Sequence, residues 1–299
     1  MQVIAIFGPT GVGKTDIAVA LAERLRAAGE DPLAVSADAL QVYRGLEVLT
    51  GAASPEQRQR LEHRLVGFVP VGETFSAGEF AALAQAEIDG ALAAGRRPIV
   101  VGGTGLYLQA ALTDLELRPP PDPGRRERIQ AELGERGAAA LHAELAARSP
   151  RAAQAIEPGD RSRIVRALEL IEMGEEPPAA MEEPRLWTAE LRHPTLLCGL
   201  VMERDALYER IDARVEWMLG AGAMEEVRRA EAAGASATAR KALGFEELLA
   251  GDPEAMKRRT RNYAKRQLTW MRRLRDLHVI DVTGRSAEGV AAEIEGLAD

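Results

Sequence analysis

Gly8-Pro9-Thr10-Gly11-Val12-Gly13-Lys14-Thr15 is the stretch of this chain best equipped for chemistry. It matches the spacing GxxxxGK[ST] and joins an apolar run, QVIAIFG, to an amphipathic one, as a phosphate-binding loop requires. Its glycines let backbone N–H groups face phosphate oxygens, and the helix that follows adds positive potential. Lys14 is placed to bridge those oxygens, and the Thr15 hydroxyl to ligate Mg²⁺. The motif predicts a di- or triphosphate site and leaves the reaction open.

The acids narrow the choice. A nucleotide hydrolase with such a loop commonly carries a second acid at the end of a later apolar strand, where it helps hold the metal. Here that strand, RPIVVGG, runs into Gly102-Gly103-Thr104-Gly105 with no acid, which argues against a motor or switch ATPase. The acid on offer is Asp38, at the end of PLAVSAD and opposite the loop. A carboxylate there suits a general base acting on a nucleophile aimed at the bound phosphate ester, and it also suits a turn cap within SADALQ. Gly102–Gly105 lets backbone approach a ligand, with the Thr104 hydroxyl as a donor, or else simply makes a tight strand-to-helix turn.

Charge marks a second feature. The chain carries −8 overall, yet Lys257 to Arg275 contains nine Lys/Arg and no Asp/Glu, so the remainder is more acidic than the average implies. The segment fits a helix with Ala264, Leu268, Met271 and Leu274 on one seam, widened by Tyr263 and Trp270. Lys257, Arg258, Arg261, Lys265, Arg266, Arg272 and Arg273 would cover the other faces. Solvated helices normally mix both signs, so a single-sign helix points to a nucleic-acid backbone. Arg163 and Arg166 offer a second patch.

The elements that must position these groups follow from hydrophobic pattern. QVIAIFG, PLAVSAD and RPIVVGG read as buried strands, with helices over Asp16–Ala28 and Ala81–Ala94 between them. This α/β alternation predicts a parallel sheet of the P-loop NTPase type, with the three strand ends converging on one crevice. Proline-rich stretches at 118–124 and 175–184 bracket a helical region that includes Arg161–Met173, with Asp160 as N-cap. The expected organisation is a first core part over 1–117, a helical insertion domain over 118–194, and a second core part over 195–299. In the last, TLLCGLVM returns to the sheet, a helix starts at Asp205, and HVIDV is the final strand. One cysteine, Cys198, excludes an intramolecular disulfide, and His63, His142, His193 and His278 are too scattered for a zinc site. The chain opens directly in a strand and a functional loop, with no signal peptide or membrane span expected, so a cytoplasmic location is expected.

GPTGVGKT, SADALQVYRGLEV, FSAGEF, RPIVVGGTGLYL, DRSRIVRALEL, LYERIDARVEWML and YAKRQLTWMR occur in the order found in bacterial tRNA dimethylallyltransferases, and the chain resembles that family over nearly its whole length. The resemblance implies transfer of a dimethylallyl group from dimethylallyl diphosphate to the exocyclic N6 amine of the adenosine 3′ of the anticodon, with release of pyrophosphate. The loop would then hold a leaving group, together with Lys14, Mg²⁺ and Arg214, and ATP hydrolysis need not occur. Asp38 would take the amine proton and Thr104 would help place the reacting groups. The resemblance implies contacts to the tRNA anticodon stem-loop at Asp38, Ala39, Leu40, Gln41, Thr104, Arg126, Ser162, Arg163, Ile164, Val165 and Arg166. On the basic helix it adds Lys265, Arg266, Gln267, Trp270 and Arg272. No membrane or obligate protein partner is implied.

The chain departs from the family pattern at three places. The usual DSxQ is Asp38-Ala39-Leu40-Gln41, GTAK is Leu49-Thr50-Gly51-Ala52, and IGYKE is Leu243-Gly244-Phe245-Glu246-Glu247. A hydroxyl, a lysine, and an aromatic hydroxyl with a positive charge are thereby lost. Two rival readings share parts of the pattern: a small-molecule or nucleoside kinase with Asp38 as base, and an RNA-binding module that uses nucleotide as a switch. The first leaves the basic helix unexplained, and the missing second acid weakens the second.

Overall fold

A computed structural model describes residues 1–115, 122–177 and 190–298. Three short apolar segments, β1 (Val3–Phe7), β2 (Pro32–Ser36) and β4 (Arg97–Gly102), lie side by side with their inner residues buried on both faces. Such continuous apolar runs belong in a parallel sheet covered by helices. With β3 (His63–Arg64), β5 (Thr195–Val201) and β6 (Leu277–Asp281) they form a parallel sheet of order β3-β2-β4-β1-β5-β6. Phe7 pairs in register with Gly102, and Ser36 with Val101, so the chain leaves β1, β2 and β4 at one level. That register is what brings the phosphate loop, Asp38 and the Gly102–Gly105 turn together.

Helices described before the excursion from the sheet are α1 (Lys14–Ala27), α2 (Glu47–Thr50), α3 (Pro55–Arg60), α4 (Ala77–Ala93) and α5 (Gly105–Leu112). Then come α6 (Pro123–Arg148), α7 (Pro150–Ala155) and α8 (Arg161–Glu172). After β5 follow α9 (Arg204–Gly220), α10 (Ala223–Ala232), α11 (Phe245–Leu249), α12 (Pro253–Met271) and α13 (Ala287–Ala298). α1 begins two residues earlier than its apolar pattern predicts, because Gly13, at φ 97°, turns the loop straight into the first helical turn. α4 begins at Ala77 rather than Ala81. Ser76 Oγ accepts the Glu79 N–H at 3.2 Å and Glu79 Oε2 accepts the Ser76 N–H at 2.8 Å, a reciprocal cap that starts the helix a turn sooner.

Ile4, Ile6, Ile17, Leu21, Leu25, Val290 and Ile294 share one buried cluster, which packs α1 and α13 against the sheet. Neither α13 nor β3 was expected: β3 has only two residues, and α13 is built mostly of Ala, Gly and Glu with few large apolar residues. A second cluster, containing Tyr43, Leu46, Leu49, Val215, Met218, Val227, Phe245 and Met256, joins α2 to α9–α12.

The chain divides into two compact units, Met1–Leu115 with Ala189–Asp299, and Glu116–Thr188. Within the second, Ile129, Leu133, Leu141, Leu145, Ile156, Ile164 and Leu168 form a separate core. Asp160 caps α8, accepting the Arg163 N–H at 3.0 Å. Parts of both proline-rich joints, 118–121 and 178–184, lie outside the described residues.

Candidate active site

Gly8 to Thr15 leaves β1 and enters α1 with Gly11 at φ 85° and Gly13 at φ 97°, conformations that L side chains rarely adopt. Lys14 Nζ donates to the carbonyls of Gly8 and Pro9, both at 3.0 Å, and so lies along its own loop. Burial pushes the Lys14 ammonium down to about 8; the charge of Asp38 opposes that shift and the charge of Arg214 adds to it. Val12 points into the core at 2% exposure, leaving its backbone alone for ligand contact, and Pro9 has no N–H to offer.

Two residues past β2, Asp38 Oδ1 accepts the Leu40 N–H at 2.9 Å and the Gln41 N–H at 3.4 Å. Asp38 therefore caps its own turn and also lines the crevice with Lys14, so the turn-cap position does not take it away from the site. At the end of β4, Thr104 Oγ1 accepts from Ala39 N at 3.5 Å and lies 3.3 Å from Tyr263 Oη. The glycines beside Thr104 answer to close approach. A Cβ on Gly103 would fall 2.2 Å from Gln267 Nε2, and one on Gly105 1.9 Å from the Trp270 ring. Both neighbours come from α12, which packs its inner face onto this turn.

That packing corrects part of the sequence reading. The buried face of α12 is Met256, Thr260, Ala264, Gln267 and Met271; Leu268 is only partly buried, and the helix stops before Arg272. Gln267 is 4% exposed, and its amide accepts the Thr10 N–H at 2.8 Å while donating to Gly103 O at 2.8 Å. It bridges two loops of the site instead of facing RNA. Charge is also less one-sided than the sequence implies. Lys257 pairs with Glu216 and Glu254, Arg258 with Asp252, Arg259 with Glu247 and Arg261 with Asp212. Among the described residues, Lys265, Arg266, Arg272 and Arg275 carry no ion pair, and the first two lie over the Tyr208 and Tyr263 rings.

α9 forms the facing wall. Arg210 Nε donates to Gly11 O at 3.0 Å, a loop contact the sequence reading missed although Arg210 stands one turn before Arg214. Arg214 Nη2 donates to Gly51 O at 3.3 Å, and a Cβ on Gly51 would fall 1.5 Å from that nitrogen. The Leu49-Thr50-Gly51-Ala52 departure thus loses a lysine but makes room for this guanidinium. Burial lowers the Arg214 proton affinity, against the charges of Asp38 and Asp16. Glu226 fixes the same loop by accepting Val48 N–H at 3.0 Å and Leu49 N–H at 2.9 Å. Gln41 accepts from Ser36 Oγ and donates to Gly51 O, at 3.0 and 3.2 Å, so its amide is engaged in the loop frame.

The crevice so enclosed measures about 670 Å³. Lys14, Thr15, Arg210 and Arg214 line it with Asp16 and Asp38, while Leu40, Leu49, Val215, Met218, Leu243 and Met256 supply apolar lining. Among the described residues no group of three or more His, Cys, Asp or Glu is placed to hold a metal alone. A hydroxyl at Thr15 with carboxylates nearby fits Mg²⁺, which keeps several waters and takes other oxygens from substrate phosphates.

The second unit holds the remaining expected RNA contacts. Ser162 and Arg163 are exposed and Arg126 is partly so, whereas Ile164 at 0% and Val165 at 2% exposure are core residues of that unit, with side chains closed to RNA. Their alternation with Arg163 and Arg166 follows from the helical period of α8. Arg166 pairs with the fully buried Glu169 at 2.8 Å.

A parallel sheet with this loop after its central strand, and ligand groups at adjacent strand ends, defines a P-loop NTPase-like α/β protein. A family model described as IPP transferase matches residues 41–274, and another, isopentenyl transferase, matches residues 1–69. The tRNA dimethylallyltransferase of Thermobifida fusca is 42% identical over 287 residues, covering 91% of this chain and 87% of the relative. That of Geobacillus thermodenitrificans is 37% identical over 305 residues, covering 98% and 94%. Among solved structures, the tRNA isopentenylpyrophosphate transferase of Bacillus halodurans superposes with a TM-score of 0.69 at 32% identity, covering 99% of this chain and 95% of the other. A eukaryotic dimethylallyltransferase acting on tRNA gives 0.78 at 25% identity, covering 99% and 78%. The chain belongs to the IPP transferase family. No described helix is long and apolar enough to cross a membrane.

Proposed function

We infer that this enzyme transfers the dimethylallyl group of dimethylallyl diphosphate to the exocyclic N6 amine of the adenosine 3′ of the anticodon in tRNA, and that it works in the cytoplasm. The observation that carries this reading is the pairing, in one crevice, of the Lys14 and Arg214 cations with Asp38 and an apolar lining. Arg214 weakens the hold of Lys14 on its proton, and Arg210 weakens that of Arg214, so this row of cations is poised for an anion of high charge, which a diphosphate supplies. The apolar lining suits a five-carbon prenyl chain better than a ribose.

In this mechanism the amine nitrogen forms a bond to the prenyl C1 as the C1–O bond to the diphosphate breaks. Loop N–H groups, Lys14, Arg210 and Arg214 stabilise the negative charge that develops on the departing pyrophosphate. Asp38 takes the proton from the attacking nitrogen, and the Thr104 hydroxyl orients the reacting groups. Thr15 would hold Mg²⁺, which supplies charge neutralisation at the diphosphate. The adenine must leave its stack to reach Asp38. Lys265, Arg266, Arg272, Arg126 and Arg163 supply phosphate contacts to the anticodon stem-loop.

The test is to incubate the enzyme and unmodified tRNA with labelled dimethylallyl diphosphate, with γ-labelled ATP, or with neither. Label transferred to tRNA from the prenyl donor, with pyrophosphate released and ATP intact, is the expected result. Phosphoryl transfer from ATP, or ATP consumed stoichiometrically with prenyl transfer, would overturn it.

A further inference from the structure

The charge pattern of α12 gives no hint that its inner face reaches the crevice, yet Tyr263 lines that crevice and places its Oη 3.3 Å from Thr104 Oγ1. Thr104 occupies the N-cap position of α5, where a threonine hydroxyl ordinarily accepts a backbone N–H of the first turn. No such bond forms here. The hydroxyl instead faces Ala39 N, at 3.5 Å, and the phenol. Something other than helix capping therefore fixes its direction.

Ala39 N can only donate, so it occupies one lone pair of Thr104 Oγ1. Burial, with the charge of Asp38, pushes the Tyr263 phenol up to about 12, so it stays protonated at neutral pH and able to donate. Either oxygen of that 3.3 Å contact can be the donor; with the phenol donating, two donors on one hydroxyl oxygen leave the hydroxyl's own proton no place but outward, toward a third acceptor. The Arg266 guanidinium lies over the Tyr263 ring, 5.4 Å from its centroid, and the Gln267 side chain, itself fixed to Gly103 and Thr10, hydrogen-bonds the phenol.

We propose that Tyr263 is a positioning residue for prenyl transfer: its phenol hydroxyl donates to Thr104 Oγ1 and thereby turns the Thr104 proton toward the reacting groups in the crevice. The proposal rests on the prenyl-transfer reading above. It assigns the YAKRQ segment a part in the chemical step, separate from any phosphate contact its cations make.

The test is a double-mutant cycle read by single-turnover prenyl transfer with enzyme in excess, alongside steady-state KM values for both substrates. Tyr263→Phe removes one oxygen and keeps the ring, and a melting temperature near wild type confirms that it folds. It is expected to lower the transfer rate roughly tenfold, the loss associated with one positioning hydrogen bond. KM for tRNA and for dimethylallyl diphosphate should stay within about twofold of wild type. In a Thr104→Ser background, which keeps a hydroxyl, the same loss should appear. In Thr104→Val it should vanish, since no proton remains to be directed. An unchanged rate in Tyr263→Phe, or an equal loss in the Thr104→Val background, overturns the proposal. Absence of prenyl transfer by the wild-type enzyme would overturn the underlying reaction instead, so the two failures are distinct.

Discussion

Gln267 Oε1 accepts the backbone N–H of Thr10 at 2.8 Å, tying the phosphate loop to a helix 257 positions later in the chain. The other end of the same amide donates to Gly103 O, so a single side chain holds two of the three strand-end loops. Gln267→Ala leaves the buried Gly103 carbonyl and the part-buried Thr10 N–H without their partner and should cost about 1–3 kcal/mol of stability in chemical denaturation. It should also weaken dimethylallyl diphosphate binding, because Thr10 loses its anchor. A variant that lost only tRNA affinity, with stability intact, would return Gln267 to the RNA surface.

Asp38→Asn keeps an oxygen able to accept the Leu40 N–H, so the turn should persist while the proton acceptor is lost. The expected fall in kcat is on the order of 10²–10⁴, with tRNA affinity nearly unchanged. Steady-state kinetics and filter binding on one preparation measure both, and near-normal turnover would remove Asp38 from proton transfer.

Lys14 carries a pH signature. Burial brings it down to about 8, and a bound diphosphate favours its charged form, so binding near pH 8 should take up protons. Diphosphate affinity should decline as pH rises above about 8, and Lys14→Met should show neither effect. Titration calorimetry in buffers of different ionisation enthalpy reads the proton uptake directly. The sign for stability follows from the same shift. Between about 8 and the usual lysine value the unfolded chain binds the proton more strongly, so this group adds stability to the ligand-free protein as pH rises through that window. Below it, the buried charge is a constant cost.

Salt dependence separates the bare cations of α12 from the paired ones. Each phosphate contact contributes about 0.7–0.9 to the slope of log affinity against log salt. Lys265→Ala or Arg266→Ala should flatten the slope for tRNA by roughly one unit. Lys257→Ala should leave it nearly unchanged, since Glu216 and Glu254 already hold that ammonium. Equal slopes for all of these would mean that the tRNA surface lies elsewhere.

Gly51 should tolerate no side chain. A Cβ would overlap Arg214 Nη2, and φ of 58° adds backbone strain. Gly51→Ala is expected to displace the guanidinium and raise KM for dimethylallyl diphosphate severalfold, with tRNA binding unaffected, as inhibition by pyrophosphate would independently reveal.

The sequence by itself determined the chemistry that is local in the chain. Gly8–Thr15 joins a strand to a helix by a loop whose geometry depends on its own glycines and helix terminus, so the conformation of that loop was legible from residue spacing alone. The buried strands QVIAIFG, PLAVSAD and RPIVVGG were legible for the same reason, since an apolar run bounded by turns carries its own signal. The start of α4 was also written locally, in Ser76 and Glu79, although the apolar pattern pointed a turn later. Tertiary structure decided what depends on which face an element buries and what lies opposite it. α12 reads as an amphipathic basic helix, but only packing onto Gly103 and Gly105 selects Gln267 as a core bridge and brings Tyr263 to Thr104. Its charges read as one sign, but Asp212, Glu216 and Glu247 come from other elements and neutralise half the helix. Ile164 and Val165 are likewise closed off by a core that forms only when α6, α7 and α8 meet. A side chain's partners across long sequence separation are fixed by close packing in three dimensions, and no spacing along the chain encodes them.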